Sequence, residues 1–517
     1  MISLNLMITR TLSICVLFFC TSVLQAEVDK PNIVLIYADD LGYGDLSCYG
    51  ATKVHTPNID LLAKEGRRFT DAHSPSAVCT PSRYGLLTGI YPHRKGLRGP
   101  AMLQEPLLID TQRTTIASLM KEQGYKTTII GKWHLGFGNK KPTDWNQALK
   151  PGPLELGFDS FFGVPVVNSH PPFVYMQDHH VVGYDPKDPF VLKKQAKTQE
   201  IFEKMGTNRI GGADKAHEFY DDYKVGTTLR NKAIEFIHQQ KDSPFFLYLP
   251  TTNIHHPFTP AKQFIGSSQC GLYGDFIHEL DWIVGGIVDT LNELHLSQNT
   301  LVIFTSDNGG MLNNSGQQAW EKGHRLNGDL LGFKFGAWEG GHRIPFIAKW
   351  PGKIKANTVS ESLICSIDLF ATFTSLFNRP LQKDEGLDSV NLLPVLLGSG
   401  KEKVREELLY SPSSSKHKSI RHKNWVYIPA RNEGGFTGSK RGGHAFGGAG
   451  AHTFTKHVNS DIQNGKIKPD APNAQLYNLD NDLSQTKNVI REYPEMAHKL
   501  SLQLQKILQS PTAPHLK

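Results

Sequence analysis

Asn32-Ile33-Val34-Leu35-Ile36-Tyr37-Ala38 is an unbroken apolar run that stops against Asp39-Asp40. A strand with one wet face would alternate apolar and polar residues; this run does not, so it reads as a central strand of a parallel sheet, covered on both faces. Pro244-Phe245-Phe246-Leu247-Tyr248-Leu249 and Thr300-Leu301-Val302-Ile303-Phe304-Thr305 repeat the pattern, each after an amphipathic helical stretch, about 225–240 and 280–295. Strands alternating with helices predict a doubly wound α/β sheet. In such sheets ligands sit beyond the carboxyl ends of the strands, so the residues just past these three runs matter most.

The 517 residues suffice for one large α/β core and a smaller appendage. Arg10, the apolar run from Leu12 to Phe19 and the small residues up to Ala26 read as an export leader over 1–26, too short to span a bilayer comfortably. The 139–216 stretch lacks periodicity and is expected to form long loops. A charged, Ser-rich stretch near 401–415 suggests a boundary, giving a large, mixed, mostly parallel α/β domain over 27–405. A small C-terminal α+β subdomain follows over 406–517, with strands at Trp425-Val426-Tyr427-Ile428 and 475–479 and a closing helix at 493–508. The Gly- and His-rich loop 434–452 reads as too polar and flexible for core.

Without the leader the chain keeps 55 basic and 49 acidic residues, a mild excess that suits an anionic substrate. No basic block with interleaved aromatics suggests nucleic acid. Cys48, Cys79, Cys270 and Cys365 remain, with no Cys-x-x-Cys pair, which excludes a zinc ribbon and a disulfide-dense scaffold.

Asp39-Asp40 and Asp307-Asn308 each follow an expected strand, and together they offer three carboxylates and an amide oxygen, a set suited to a hard cation such as Ca²⁺ or Mg²⁺. Read singly, either pair is also an ordinary turn former. Between them lies Cys79-Thr80-Pro81-Ser82-Arg83, in which Pro81 and Ser82 suit a first helical turn. A cysteine at a helix N-terminus is a candidate low-pKa nucleophile, a redox centre, or simply a small residue at a helix start, and spacing alone leaves all three open.

The chain resembles the formylglycine-dependent (type I) sulfatases of the alkaline phosphatase superfamily, whose signature Cys-x-Pro-Ser-Arg followed by x-x-Leu-Leu-Thr-Gly is complete from Cys79 to Gly89. A second signature resembles Gly124-Tyr125-Lys126-Thr127 with Gly131-Lys132-Trp133-His134-Leu135-Gly136. Asp39-Asp40, Asp307-Asn308-Gly309 and Glu339-Gly340-Gly341 with Arg343 match in order, and the resemblance runs from about Pro31 to Leu479. It implies an alkaline phosphatase-like fold and oxidation of Cys79 to formylglycine (3-oxoalanine) by a formylglycine-generating or anaerobic sulfatase-maturing enzyme. One hydroxyl of the hydrated aldehyde attacks sulfur and expels the alcohol; loss of the proton from the other then releases sulfate and regenerates the aldehyde. The resemblance further implies one Ca²⁺ held by Asp39, Asp40, Asp307, Asn308 and the Cys79-derived diol. Arg83 orients the diol, Lys132 contacts sulfate, and His134, two residues on and on the same face of an extended segment, takes the diol proton. His255, two residues before Pro257, is the leaving-group acid in preference to His256, and Lys334 contacts sulfate and the leaving oxygen.

Where many relatives read Gly-Ile-Pro-Tyr-Ser-x-Asp-Met, this chain has Gly163-Val164-Pro165-Val166-Val167-Asn168-Ser169-His170, so a serine contact is lost and Asn168 is the candidate replacement in binding substrate. Lys440, Arg441 and His444 of the 434–452 loop are candidates for reading a sugar or a second acidic group. The expected enzyme is a secreted or periplasmic sulfatase acting on a sulfated carbohydrate, with no membrane span. Its rivals are a phosphoester or phosphonate monoester hydrolase using the same nucleophile and an unmatured, catalytically silent glycan-binding protein.

Overall fold

The first apolar run forms β1 (Asn32–Ala38), buried along its whole length. The computed structural model describes residues 30–195, 209–399, 404–436 and 440–510, so the leader expected at 1–26 and part of the 434–452 loop lie outside the described residues. The other two runs form β7 (Phe245–Pro250) and β8 (Thr300–Ser306). They flank β1 on either side, both parallel to it, with Ile33 opposite Phe246 and Leu301.

Outward from β7, β3 (Lys126–Lys132) and β4 (Ser160–Val164) continue the parallel part, followed by the short strands β5 (Met176–Gln177) and β6 (His180–Val181). Outward from β8, β9 (Phe346–Lys349) runs antiparallel and is followed by β2 (Arg67–Phe69) and β10 (Thr358–Ser360). The result is the expected mixed, mostly parallel sheet, ten strands in the order β10-β2-β9-β8-β1-β7-β3-β4-β5-β6.

Alternate residues of β1 enter two separate cores, which is why the run has no polar face. Ile33, Leu35 and Tyr37 pack with α2 (Cys79–Thr88), α3 (Ile116–Glu122) and α6 (Leu369–Leu376). Val34 and Ile36 pack with α1 (Pro57–Glu65), α4 (Val225–Gln239) and α5 (Leu272–Glu293). Each buried aliphatic side chain contributes about 1.5–3 kcal/mol, against about 1–2 kcal/mol to order each residue's backbone. A two-sided strand therefore secures the centre of the sheet.

A second sheet of four antiparallel strands, β11 (Glu407–Tyr410), β12 (Ser419–His422), β13 (Trp425–Ile428) and β14 (Gln475–Asn478), is packed by the closing helix α8 (Pro494–Gln509). From Pro31 onward the chain forms one compact unit. Among the described residues the four cysteines are all free, and no helix is long and apolar enough to cross a membrane.

Three sequence expectations need correction. Helix α5 begins at Leu272, not near 280, because Tyr273, Phe276 and Ile277 already face the core. The stretch expected to be loops contains β4; there Gly163 lies so close to β3 that an added Cβ would stand 1.8 Å from the Gly131 carbonyl oxygen, and glycines at this contact hide the strand pattern. The 434–452 loop is partly core: Ala445, Phe446, Ala449 and Ala451 are buried, and α7 (Gly448–Thr455) starts inside it.

Candidate active site

Because β8, β1, β7 and β3 are adjacent and parallel, the residues after them gather at one edge: Asp307 and Asn308, Asp39 and Asp40, His255, and the terminal Lys132. Backbone bonds continue the pairing past the strand ends, Asp307 N–H to Ala38 C=O at 3.1 Å and Asp39 N–H to Asn253 C=O at 2.8 Å. Asp40 then enters the left-handed region (φ 60°), and its N–H donates to Asp307 Oδ1 at 3.1 Å. A non-glycine residue in that region is uncommon; here the turn keeps both Asp39 and Asp40 at the sheet edge.

Asp39 Oδ2 accepts from Lys132 Nζ at 2.6 Å, Asp307 Oδ2 from Arg83 Nη2 at 2.8 Å, and Asp40 Oδ1 from Asn308 Nδ2 at 2.9 Å and from Lys334 Nζ. Asp39 Oδ1, Asp40 Oδ2 and Asn308 Oδ1 are buried and have no hydrogen-bond donor. Each of Asp39, Asp40 and Asp307 offers an oxygen within 4.8 Å of the others'. Burial, and then the Asp39 charge, push the Asp307 carboxyl up. Buried carboxylates with unused oxygens cost free energy unless something positive meets them, and an all-oxygen set suits a hard cation. The residues expected to hold a divalent metal therefore fit one.

Cys79 is the first residue of α2, 2 % exposed, after an extended Val78 that provides no side-chain cap. Burial pushes its thiol up, and although Lys132 and Lys334 oppose this, the shift is upward overall. Of the readings left open for this cysteine, the low-pKa thiolate is the one the site does not favour.

Arg83, one turn on, is wholly buried; besides its bonds to Asp307 it donates to the Lys132 carbonyl oxygen at 3.3 Å. It thus ties the helix bearing Cys79 to β3 and to the carboxylates. His134 does not share an extended face with Lys132, because its backbone is left-handed (φ 59°). Its Nε2 lies 2.9 Å from the Ala101 carbonyl oxygen; a carbonyl only accepts, so Nε2 carries the proton and the buried, unpartnered Nδ1 keeps a lone pair. Burial, then Lys132 and Arg83, hold this imidazole neutral.

His255 directs Nε2 to Asp40 Oδ2 at 3.7 Å, while its Nδ1 meets the His256 carbonyl oxygen at 2.7 Å. His256 stacks behind it with ring centroids 4.2 Å apart. Asn168 spends Nδ2 on the His255 carbonyl oxygen at 2.9 Å, so its first contact is with the backbone of this histidine.

The sequence reading assigned no role to His170, although it closes the stretch that departs from the family pattern, nor to Glu433, buried beside the loop that carries Lys334. Cavity size is no guide to this site: a cavity of about 830 Å³ lined by Lys64, Ser297 and Lys353 lies by the opposite, amino-terminal end of β8.

The family description Sulfatase matches residues 31–379. The chain is 38% identical over 504 residues to an N-acetylgalactosamine-6-O-sulfatase of Bacteroides thetaiotaomicron, covering 92% of this chain and 93% of that one. It is 35% identical to the human N-acetylgalactosamine-6-sulfatase, covering 71% of this chain and 66% of that one. A solved structure concerned with metabolism of multiple glycosaminoglycans by Bacteroides thetaiotaomicron superposes with a TM-score of 0.81 at 37% identity, covering 93% of this chain and all of that one. The phosphonate monoester hydrolase of Agrobacterium radiobacter, at 17% identity and a TM-score of 0.57 over 93% of this chain and 97% of that one, shares the fold. With this geometry and the family match over more than half of its length, the chain belongs to the sulfatase family and is a sulfuric ester hydrolase.

Proposed function

We propose that this sulfatase removes sulfate from a sulfated carbohydrate, with Cys79 converted to formylglycine and one Ca²⁺ held by Asp39, Asp40, Asp307 and Asn308. The supporting observation is that Cys79, at the start of α2, shares one sheet edge with two buried lysines and three carboxylates, and that one oxygen each of Asp39, Asp40 and Asn308 there lacks a donor. Formylglycine supplies a hydrated aldehyde, a nucleophile with a second hydroxyl that a thiol or serine lacks. The metal supplies positive charge at the carboxylate cluster.

The chain's own residues do the rest. Sulfuryl transfer spreads negative charge over peripheral oxygens, so fixed cations dominate; Lys132 and Lys334, both buried, are the groups placed to hold sulfate. Arg83 fixes Asp307 and the start of β3's following segment. His134 Nδ1 is the proton acceptor. His255 Nε2 is the proton donor to the leaving alcohol; burial, His256 and Lys334 keep it neutral in the free site, and a bound sulfate would favour its charged form. Asn168 holds the His255 backbone and, through Oδ1, is the remaining polar group for substrate.

N-acetylgalactosamine 6-sulfate is the first substrate to try, since two relatives at 38% and 35% identity are named for it. We place the enzyme outside the cytoplasm, secreted or periplasmic, on the strength of the leader, with a sulfatase-maturing enzyme as its partner in synthesis. The test is mass spectrometry across Cys79 in protein made with such an enzyme, together with sulfate and phosphate release from paired substrates. Conversion of thiol to aldehyde lowers the mass by about 18 Da. An unmodified thiol would favour a silent glycan-binding protein, and dominant phosphate release would favour a phosphoester hydrolase.

A further inference from the structure

Two imidazoles at the mouth of the site have no task in the chemistry above. His170 is half-buried; its Nδ1 meets Ser169 Oγ at 2.8 Å, which leaves Nε2 for a ligand. His444 is exposed, and its ring stands edge-on to His256 with centroids 4.1 Å apart. His256 stacks on His255, and His255 reaches Asp40. The three rings therefore form a continuous run from the carboxylates to solvent. His444 lies within the fields of Lys334 and Asp40, and His170 within those of His444, Lys132 and Lys334.

The cation next to His444 is turned elsewhere: Arg441 pairs with Glu321, and its guanidinium lies 4.8 Å from the centre of the Phe454 ring. Of Lys440, Arg441 and His444, the ring contact that reaches the site runs through His444. Burial pushes the His170 imidazole down to about 4. An imidazole nitrogen can donate to or accept from a hydroxyl, and on His170 the contact with Ser169 leaves Nε2 for that purpose.

We propose that His170 and His444 are specificity-determining residues: they form the subsite for the alcohol half of the substrate and hydrogen-bond a ring hydroxyl of the sulfated sugar. This rests on the sulfatase reading of the Cys79 site. The segment that follows β4 brings His170 and the C-terminal part of the chain brings His444, so the two can be varied independently.

The test uses full-length protein with matured Cys79, four probes (N-acetylgalactosamine 6-sulfate, its 3-deoxy and 4-deoxy analogues, and 4-nitrophenyl sulfate), and the variants His444→Ala, His170→Ala and His444→Gln. Wild type should lose about tenfold in kcat/KM on at least one deoxy analogue, the size of one neutral hydrogen bond. The alanine variants should lose a similar factor on the parent sugar, cease to discriminate between parent and deoxy sugar, and change less than about threefold on 4-nitrophenyl sulfate. His444→Gln, which keeps a donor and an acceptor, should retain the discrimination. An equal loss on 4-nitrophenyl sulfate, or alanine variants that still discriminate, would overturn the proposal. If matured wild type releases sulfate from none of the four probes, it is the sulfatase reading that fails.

Discussion

Arg421, on the small C-terminal sheet, closes a two-pronged ion pair on Asp71 from 350 positions along the chain, Nη1 to Oδ1 and Nη2 to Oδ2, both at 2.7 Å. Arg343 Nη1 joins at 2.9 Å from Oδ1. Burial alone would push the Asp71 carboxyl up, but Arg343 and Arg421 hold it well below the usual carboxylate range. Asp71→Asn removes the carboxylate that Arg421 pairs with and leaves Arg343 with Glu339 alone, and should cost about 3–5 kcal/mol. A depressed carboxyl contributes stability that is present above its unfolded value, about pH 4, and lost as pH falls through its folded value. Thermal unfolding scanned from pH 5 down to about pH 2 should show a steep limb below about pH 4 in wild type and a shallower one in the variant. Parallel curves would mean that Asp71 is not the group responsible.

Glu433 shows the opposite sign. Its Oε1 accepts from the Gly448 N–H, its Oε2 has no donor, and burial pushes the carboxyl up to about 8. The folded state therefore holds a proton that the unfolded chain releases near pH 4.3, and stability falls as pH rises between that value and about 8. Glu433→Gln keeps a carbonyl for Gly448 and removes the titration. The variant should match wild type near pH 5 and exceed it near pH 8, read from melting temperature at both values. A difference of the same size at the two pH values would sink the argument.

How much of this was legible in the sequence depended on whether the cause was local. The strands β1, β7 and β8 announced themselves because both faces are buried, and once they were placed, the topology put Asp39, Asp40, Asp307 and His255 at one edge. Strand β4 was not legible, because Gly163 is required by its close approach to Gly131, and a glycine dilutes the apolar signal by which strands are recognised. Nothing near Asp71 points to Arg421, since the two meet only when the second sheet docks. Lys132 and His134 were expected on one face from an extended backbone; the left-handed turn at His134 alters that, and no spacing rule foretells it.

Removing the metal tests the oxygen cluster. Chelation should abolish turnover and lower the melting temperature, because the freed oxygens of Asp39, Asp40 and Asn308 are then buried without partners. Ca²⁺ at a hundredfold excess over its Kd should restore about 2.7 kcal/mol of stability. Asp307→Asn should weaken that response in melting temperature as well as in activity. A wild-type protein whose melting temperature ignores both chelator and Ca²⁺ would argue against a resident metal at this cluster.

The division of labour between His134 and His255 is open to a leaving-group test. His255 Nε2 faces Asp40, whereas His134 Nδ1 lies next to Lys132 and Arg83 in charge terms, with its other nitrogen fixed by Ala101. If His255 protonates the departing oxygen, its loss matters in proportion to how badly that oxygen needs a proton. His255→Ala should lower kcat/KM on a sugar sulfate, a poor leaving group, by about 10²–10⁴, but much less on 4-nitrophenyl sulfate, whose phenolate leaves unaided. His134→Ala acts after the alcohol has gone, so it should lower kcat on both substrates alike and leave an initial burst of alcohol while sulfate release stalls. Equal losses for His255→Ala on the two esters would remove it from the acid role, and His256, stacked directly behind it, would be the next residue to vary.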